Sequence, residues 1–360
     1  MVNYCFFNTV SAWGGGEKWH LDVATYLHEK GFSVLVVAAP NSVLALKAKA
    51  MGLKVCFIKL SNLSFLNPVV IYRITRLLKH YDVDNLIMNS PRDLKSAGIA
   101  AHLIKLPKVI FRRGSDIAIK NNTLNRFLYQ SVVHKVLVNS PATEASLNAN
   151  NAQLVAKSKI KLIPNGIDSG KFSGTPFKPI YTKKANEFVL CTLGRLVHQK
   201  NHGFLIDVAK ELKKKQVSFK LVIGGSGPLE GELKQKAKAH GVAKHILFTG
   251  FVEQPKDLYM SGDVFLLPSI WEGFGYVLAE AALCSLPSIA FNISSNSQII
   301  QDGKTGVLVT EQNPLSFADA VLKLSENEKL RQEMGEAAKS FVKQNFEAED
   351  IFKEIEHVIS

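Results

Sequence analysis

Two glutamates eight residues apart, with a Gly-Phe-Gly between them, carry the densest chemistry in this sequence. They are Glu272 and Glu280 in WEGFGYVLAEA, residues 271–281. A strand-like run, Val264–Leu267, leads into them through Pro268-Ser269, and a helical run follows from Gly275 or Tyr276. A helix start offers unpaired N–H groups and a partial positive charge. Gly273 and Gly275 let backbone approach a ligand closely, and the two carboxylates accept hydrogen bonds from hydroxyls. An anion lying beside sugar hydroxyls fits such a place. The plainer reading is a strand–turn–helix junction whose glutamates are merely solvated.

Three further turns have matching character. LGRLVHQKN, residues 193–201, follows the first strand of the second half and carries Arg195 and Lys200. Arg offers planar bidentate contacts and Lys a point charge, a combination suited to a diphosphate; a surface charge pair is the alternative. LVIGGSGPLEGEL, residues 221–233, sets Gly224, Gly225 and Gly227 between a strand and a helix. Such a turn admits a phosphate or base, and reads equally well as turn chemistry. SAWGGGEKW, residues 11–19, opens the first helix with Gly14, Gly15 and Gly16, where backbone N–H groups could meet a leaving phosphate or an acceptor.

These turns need strands behind them and helices ahead of them, and the sequence supplies both. In the first half Asn3–Thr9, Ser33–Ala39, Lys54–Lys59, Asn85–Met88, Lys108–Phe111, Lys135–Asn139 and Ile160–Ile163 are short and rich in Val, Ile, Leu or Phe. Amphipathic stretches such as Glu17–Lys30 and Val69–His80 lie between them. The rhythm restarts after residue 172, with strands at Glu187–Thr192, Phe219–Gly224, His245–Thr249, Val264–Leu267, Ser288–Phe291 and Gly306–Val309. Alternation of this kind predicts an α/β chain of two Rossmann-like domains with parallel sheets. The expected bounds are 1–172 for the first domain and 173–345 for the second. Residues 346–360 should form a helix returning to the first domain, with Phe346, Ile351, Phe352 and Ile355 as its apolar face. Asp168–Ala185, with two prolines and few apolar runs, reads as the linker. Open parallel sheets bind ligands at the C-terminal ends of their strands, so an interdomain cleft is the expected site.

The chain has 360 residues, 46% hydrophobic and 21% charged, enough apolar material for two cores. Its four cysteines, Cys5, Cys56, Cys191 and Cys284, are scattered without metal-ligand spacing, which suits a reducing compartment. No run approaches the ~18–20 apolar residues of a membrane span, and no targeting segment is visible. A cytoplasmic location follows as the expectation. The net charge of +13 lies wholly in residues 1–167, because residues 168–360 hold 23 basic and 23 acidic side chains. A basic domain attracts anions, which makes the inner face of an anionic membrane a candidate partner. Nucleic acid is not expected, since no recognised binding motif accompanies the charge.

In this order and over essentially the whole chain, the four turns resemble the family-4 glycosyltransferases of GT-B fold. Glu272 and Glu280 match the family's E-x7-E motif, and GRLVHQKN its diphosphate-binding Arg and Lys. LIPNGID, residues 162–168 with Asn165, looks like its interdomain signature. GGSGPLEGEL and FTGFV, residues 248–252 with Phe251, match its nucleotide-side loops, and DGKTGVLV, residues 302–309, also fits. The resemblance implies that Arg195 and Lys200 stabilise the departing diphosphate, and that Glu272 holds hydroxyls of the donor sugar near the Phe274 and Gly275 amides. Glu280 would accept from the ribose, with Tyr276, Gly225, Gly227 and Phe251 around the nucleotide. Gly15 and Gly16 would lie close to the distal phosphate. It implies a retaining, metal-independent transfer from a nucleoside-diphosphate sugar to a glycan or glycolipid acceptor in polysaccharide or lipopolysaccharide assembly, with no cofactor. An epimerase- or phosphorylase-like reaction, or a non-catalytic nucleotide-sugar-binding subunit, are the alternatives. One departure stands out. Where the family carries a His beside the donor sugar, KVIFRRGSD places Arg112, Arg113 and Asp116, and no His lies between His102 and His134. Asp82-Val83-Asp84 is rejected as a metal motif because it precedes a strand, away from the ligand-binding sheet end.

Overall fold

The computed structural model describes residues 3–293, 295–310 and 312–360. Its central strands are short runs buried on both faces, as strands covered by helices on either side must be, while the edge strands are partly exposed. β1 (Asn3–Asn8), β2 (Ser33–Ala38), β3 (Lys54–Phe57), β4 (Asn85–Met88), β5 (Lys108–Arg113), β6 (Lys135–Val138) and β7 (Ile160–Leu162) form one sheet in the order β3-β2-β1-β4-β5-β6-β7. β8 (Phe188–Leu193), β9 (Phe219–Gly224), β10 (Ile246–Gly250), β11 (Val264–Leu267), β12 (Ser288–Phe291) and β13 (Gly306–Val309) form a second, ordered β10-β9-β8-β11-β12-β13. Every ladder is parallel; Tyr4 pairs with both Val34 and Asn85, and Phe265 with both Cys191 and Ser288. Strand order reverses beside β1 in the first sheet and beside β8 in the second. Loops at such a reversal part to opposite faces and leave a crevice at the strand ends.

The chain divides into two compact units, residues 1–166 with 349–360, and 167–348. Local chemistry sets several helix starts. Ser42, Asn67 and Asn313 each accept a hydrogen bond from the first turn of the helix they precede, and Pro68 and Pro314 occupy opening positions. In the first unit Ile74, Leu78, Leu86, Met88, Phe111 and Val136 share one core. In the second, Phe204, Phe291 and Phe317 stack edge to face at 4.9–5.6 Å inside another.

The helix Ala348–Ile359 packs within the first unit. The Tyr26 hydroxyl donates to Glu356 at 2.9 Å, Phe352 meets the Tyr26 ring at 5.5 Å, and Tyr4 and Ser360 share a hydroxyl contact at 2.6 Å. Phe346 is not part of its apolar face: its ring lies 5.4 Å from Phe274, in the second unit. The segment expected as a linker is likewise built into the second unit. Lys256 donates to the carbonyls of Phe172, Ser173 and Thr175, Lys178 N–H donates to Asp257, and Lys183 pairs with Asp263. Its polar composition reflects backbone held by charged side chains from residues 256–263. The division of charge changes too. With the acidic residues 349–360 included, the first unit carries +10 and the second +3.

Candidate functional site

In the second unit the loops that follow β8, β9 and β10 are laced backbone to backbone. Gly194 N–H donates to Gly224 O at 3.0 Å, Leu196 N–H to Ser226 O at 3.0 Å, and Gly225 N–H to Gly250 O at 2.7 Å. Gly225 sits at φ +125, and a Cβ there would lie 1.9 Å from Gly194 O. A Cβ on Gly227 would come 2.5 Å from Leu196 O. In this structure these two glycines are explained by the close passage of the Arg195 loop.

Above that lacing, Lys200 closes a short helical turn before the His202–Lys214 helix, its aliphatic stem lying along Gly194. Its ammonium is ion-paired with the carboxylate of Glu272, and the two side chains are 16% and 8% exposed. Glu272 comes from the loop after β11, so the pair bridges the two strands between which the sheet order turns. Neighbouring bonds lock both loops. Gln199 Nε2 donates to Trp271 O at 3.0 Å, Ile270 N–H donates to Gln199 O at 2.9 Å, and buried Ser295 approaches Glu272 O at 3.4 Å. Gly275, at φ +80, precedes the helix Tyr276–Leu283, whose first N–H groups lie beside the Glu272 loop. Asn296, fully buried beside Gly275, leaves its Oδ1 without a hydrogen-bond partner.

The other predicted second-unit residues divide. Arg195 is exposed and forms no ion pair among the described residues. Phe251 stands out from the end of β10 with its ring 78% exposed. The Phe274 side chain is core, packed on Tyr276 and Phe346, so only its backbone could meet a ligand. Glu280 lies one to two turns into its helix and accepts from the buried Tyr259 hydroxyl at 2.9 Å. Burial, then the Glu280 charge, raises the Tyr259 phenol well above its ordinary range. Burial, then Lys200, lowers His202 to about 4.

The first unit has a second polar cluster at its own reversal point. Asp93, fully buried, accepts from Thr9 N–H at 3.1 Å and from the Thr9 hydroxyl, while Arg92 donates to Thr9 O at 2.6 Å. Burial outweighs these bonds and pushes its carboxyl up to about 6. A cavity of about 700 Å³ opens beside this cluster, lined by Gly16, Glu17, Asn89, Lys95, Arg112, Arg113, Lys120 and Tyr129 among others. Two widened, π-type turns, Leu94–Gly98 and Leu128–Val132, supply part of its wall, a distortion that re-aims side chains in otherwise regular helices. Consecutive strand residues point to opposite faces. Arg112 accordingly lies over the Trp19 ring at 5.3 Å and donates to Asn165 Oδ1 at 2.8 Å, while Arg113 donates to Ile117 O and bonds the Tyr129 hydroxyl. Burial holds the Arg113 guanidinium below its usual range and pushes Tyr129 up to about 12.

Asn165 thus belongs to the Arg112 side of the first unit. Gly16 lines the same cavity, where a Cβ would come 2.6 Å from Asn89 Nδ2; Gly15 is exposed at the helix start. Asp84 accepts from Asn3 N–H at 2.9 Å at the start of β4, the sheet end opposite the cavity. Among the described residues no group of three His, Cys, Asp or Glu could hold a metal ion, and no helix is long and apolar enough to cross a membrane. Asn89, Tyr129 and Tyr259 carry no signal in sequence; only the tertiary packing brings them to these places.

Two parallel six- and seven-stranded units in this strand order define the GT-B class of fold. The structure superposes on Anabaena Alr3699/HepE, solved in complex with UDP and glucose, with a TM-score of 0.84 at 19% identity over 99% of both chains. Glycosyltransferase Family 4 matches residues 13–171, and Glycosyl transferases group 1 matches residues 175–341. The chain belongs to this glycosyltransferase family. It is 34% identical to a putative glycosyltransferase, EpsF, of Bacillus subtilis over 37% of this chain and 36% of that protein. It is 31% identical to the UDP-Gal:alpha-D-GlcNAc-diphosphoundecaprenol alpha-1,3-galactosyltransferase of Escherichia coli over 48% of this chain and 46% of that one. The chain therefore spans between a third and a half of the length of these curated relatives.

Proposed function

We propose that this chain transfers a sugar from a nucleoside-diphosphate sugar to an acceptor hydroxyl, with retention at the anomeric carbon and without a metal. The observation that carries the reading is the Lys200–Glu272 pair at the β8/β11 reversal, beside the Gly275 helix start. A donor's diphosphate would draw the Lys200 ammonium, with Arg195 swinging in from solvent, and release Glu272 to accept from the sugar's hydroxyls. Negative charge developing on the departing diphosphate would then meet fixed positive charge, the arrangement that lowers such barriers most effectively. Glu280 and the exposed Phe251 ring would serve the nucleoside. The UDP in the Anabaena structure and the UDP-Gal in the Escherichia coli relative's name favour a uridine donor.

Thermal-shift titration with UDP, GDP, ADP and their common sugars tests this. A ligand that binds the native state raises Tm by linkage. A rise with one nucleotide family, lost in Lys200→Ala, is the expected result; no rise with any of them defeats the reading.

The acceptor reading extends to a membrane. On the first unit Leu63, Leu66, Val69 and Tyr72 are each more than 60% exposed at three-residue spacing, and Lys59, Arg73, Arg76 and Lys79 are exposed around them. Apolar side chains framed by basic ones suit an anionic bilayer surface. Co-sedimentation with anionic vesicles at low salt, weakened by Leu66→Ser/Val69→Ser, is expected. Absence of binding at low salt removes this part of the proposal.

A further inference from the structure

We propose that the first-unit cavity is an oxyanion site in which Arg112 and Arg113 receive a phosphoryl group carried by the acceptor. The inference rests on the transferase reading and specifies its second substrate.

Arg113 carries the argument. It is 8% exposed, its Nε has no hydrogen-bond partner, and it forms no ion pair among the described residues. What faces it is a phenol and a carbonyl, from Tyr129 and Ile117, with the charge of Asp116 acting from further away. A guanidinium withdrawn from water with so little compensation is unfavourable unless something else completes it. The cavity it lines is cationic throughout: Lys95, Arg112, Arg113 and Lys120 against Glu17 alone. Three excess positive charges exceed what one carboxylate neutralises and match a phosphate or diphosphate. Both arginines line the cavity from the C-terminal end of β5, and each guanidinium carries a fork of donors suited to an oxyanion. Asn89 lies on the same wall, where its Nδ2 is a donor. From the cavity Lys95 extends over the Phe65 ring at 5.6 Å, next to the exposed Leu63 and Leu66. A phosphate whose remainder is a lipid and one whose remainder is a soluble sugar would both enter here, and the experiment separates them.

The test uses the full chain at low ionic strength, with inorganic pyrophosphate as probe and Tm as readout. Wild type should show a saturable rise. The rise should persist in Arg195→Ala/Lys200→Ala, where the donor site is disabled, and vanish in Arg113→Met. Without pyrophosphate Arg113→Met should melt close to wild type, because relief of the buried charge offsets the bonds lost to Ile117 O and Tyr129. Should Arg113→Met fold poorly, Arg113→Lys takes its place: it keeps the charge, lacks the fork, and should raise the half-saturating concentration by at least about tenfold. A rise of unchanged half-point in the Arg113 variants, or one abolished by the Arg195/Lys200 change alone, overturns the proposal. In turnover assays Arg113→Lys should raise KM for a phosphate-bearing acceptor about tenfold or more while leaving donor KM unaltered. An equal loss with a neutral acceptor overturns it as well. A glycosyl diphosphate on a polyprenyl chain, compared with a soluble sugar phosphate, identifies the source of the group. Nucleotide thermal shifts are read separately. Their absence would defeat the transferase reading while the pyrophosphate result still decides this one.

Discussion

The two units share a strand order and place their polar clusters at the same topological point, yet they treat charge in opposite ways. In the second unit a half-buried cation is met by a buried anion, Lys200 by Glu272. In the first, buried Arg113 meets a phenol and a carbonyl at the edge of a cationic cavity, without an ion pair among the described residues. A pair that neutralises itself is stable when empty and must open to act. A lone cation is poorly satisfied when empty and is completed by what it binds. The same scaffold therefore supports one site with its own counter-ion and one whose counter-ion must arrive.

Breaking the second-unit pair should produce the largest effect. Removing one partner of a buried ion pair strands the other, so Glu272→Ala should lower unfolding stability by about 3–5 kcal/mol, measured by urea titration. Lys200→Met/Glu272→Gln should restore most of it. If the double variant is no better than the single one, the pair is not the unit of stability described here. Next comes activity: Arg195→Ala and Lys200→Ala should each reduce kcat/KM by ~10²–10³, and unchanged kinetics in both would remove the diphosphate assignment.

A third prediction uses what the units have in common. Each buries a histidine in the long helix that follows its first strand, His20 held near 3 by burial and then Arg112, and His202 near 4. Folded-state values below the unfolded value mean that only the unfolded chain takes up these protons as pH falls. Stability should therefore be full above pH 6.5 and decline toward pH 4 by up to ~1.4 kcal/mol per pH unit for each histidine. Asp93 acts in the opposite sense, because its carboxyl is raised to about 6; its contribution is present below pH 4 and lost as pH rises through 6. His20→Gln/His202→Gln should flatten the acid limb, and Asp93→Asn should steepen it between pH 4 and 6. A pH–stability curve unmoved by both variants contradicts the assignment. The smallest effect expected is from Tyr259→Phe. Loss of its bond to Glu280 should cost about 1 kcal/mol and leave the donor sugar's contacts intact, visible as a small fall in nucleotide affinity by calorimetry.

Much of this architecture was legible beforehand because short apolar runs and Gly-rich turns recur at βα spacing; all thirteen strands among the described residues fall within a few residues of the runs that predict them. The Glu272 loop and the Lys200 turn were legible for the same reason. Their pairing was not, since residues 72 positions apart in sequence meet only through strand order. Gly225 and Gly227 read as ligand-facing from composition, whereas the backbone of residues 194–196 fills the space their missing side chains leave. The linker reading failed because prolines and polar residues look alike whether solvated or held by Lys256 and Asp257. Arg113 could be singled out as a departure from a familiar pattern. Only burial revealed it as a cation without an ion pair among the described residues.

The return of residues 349–360 to the first unit has a consequence for synthesis. A ribosome delivers β1 to β7 early, yet the surface offered by Tyr4 and Tyr26 stays uncovered until Phe352 and Glu356 emerge. The second unit, contiguous from 167 to 348, has all its parts before then. The first unit is therefore completed only after the second has been made, so a nascent chain must shelter an unfinished apolar face throughout the making of its neighbour.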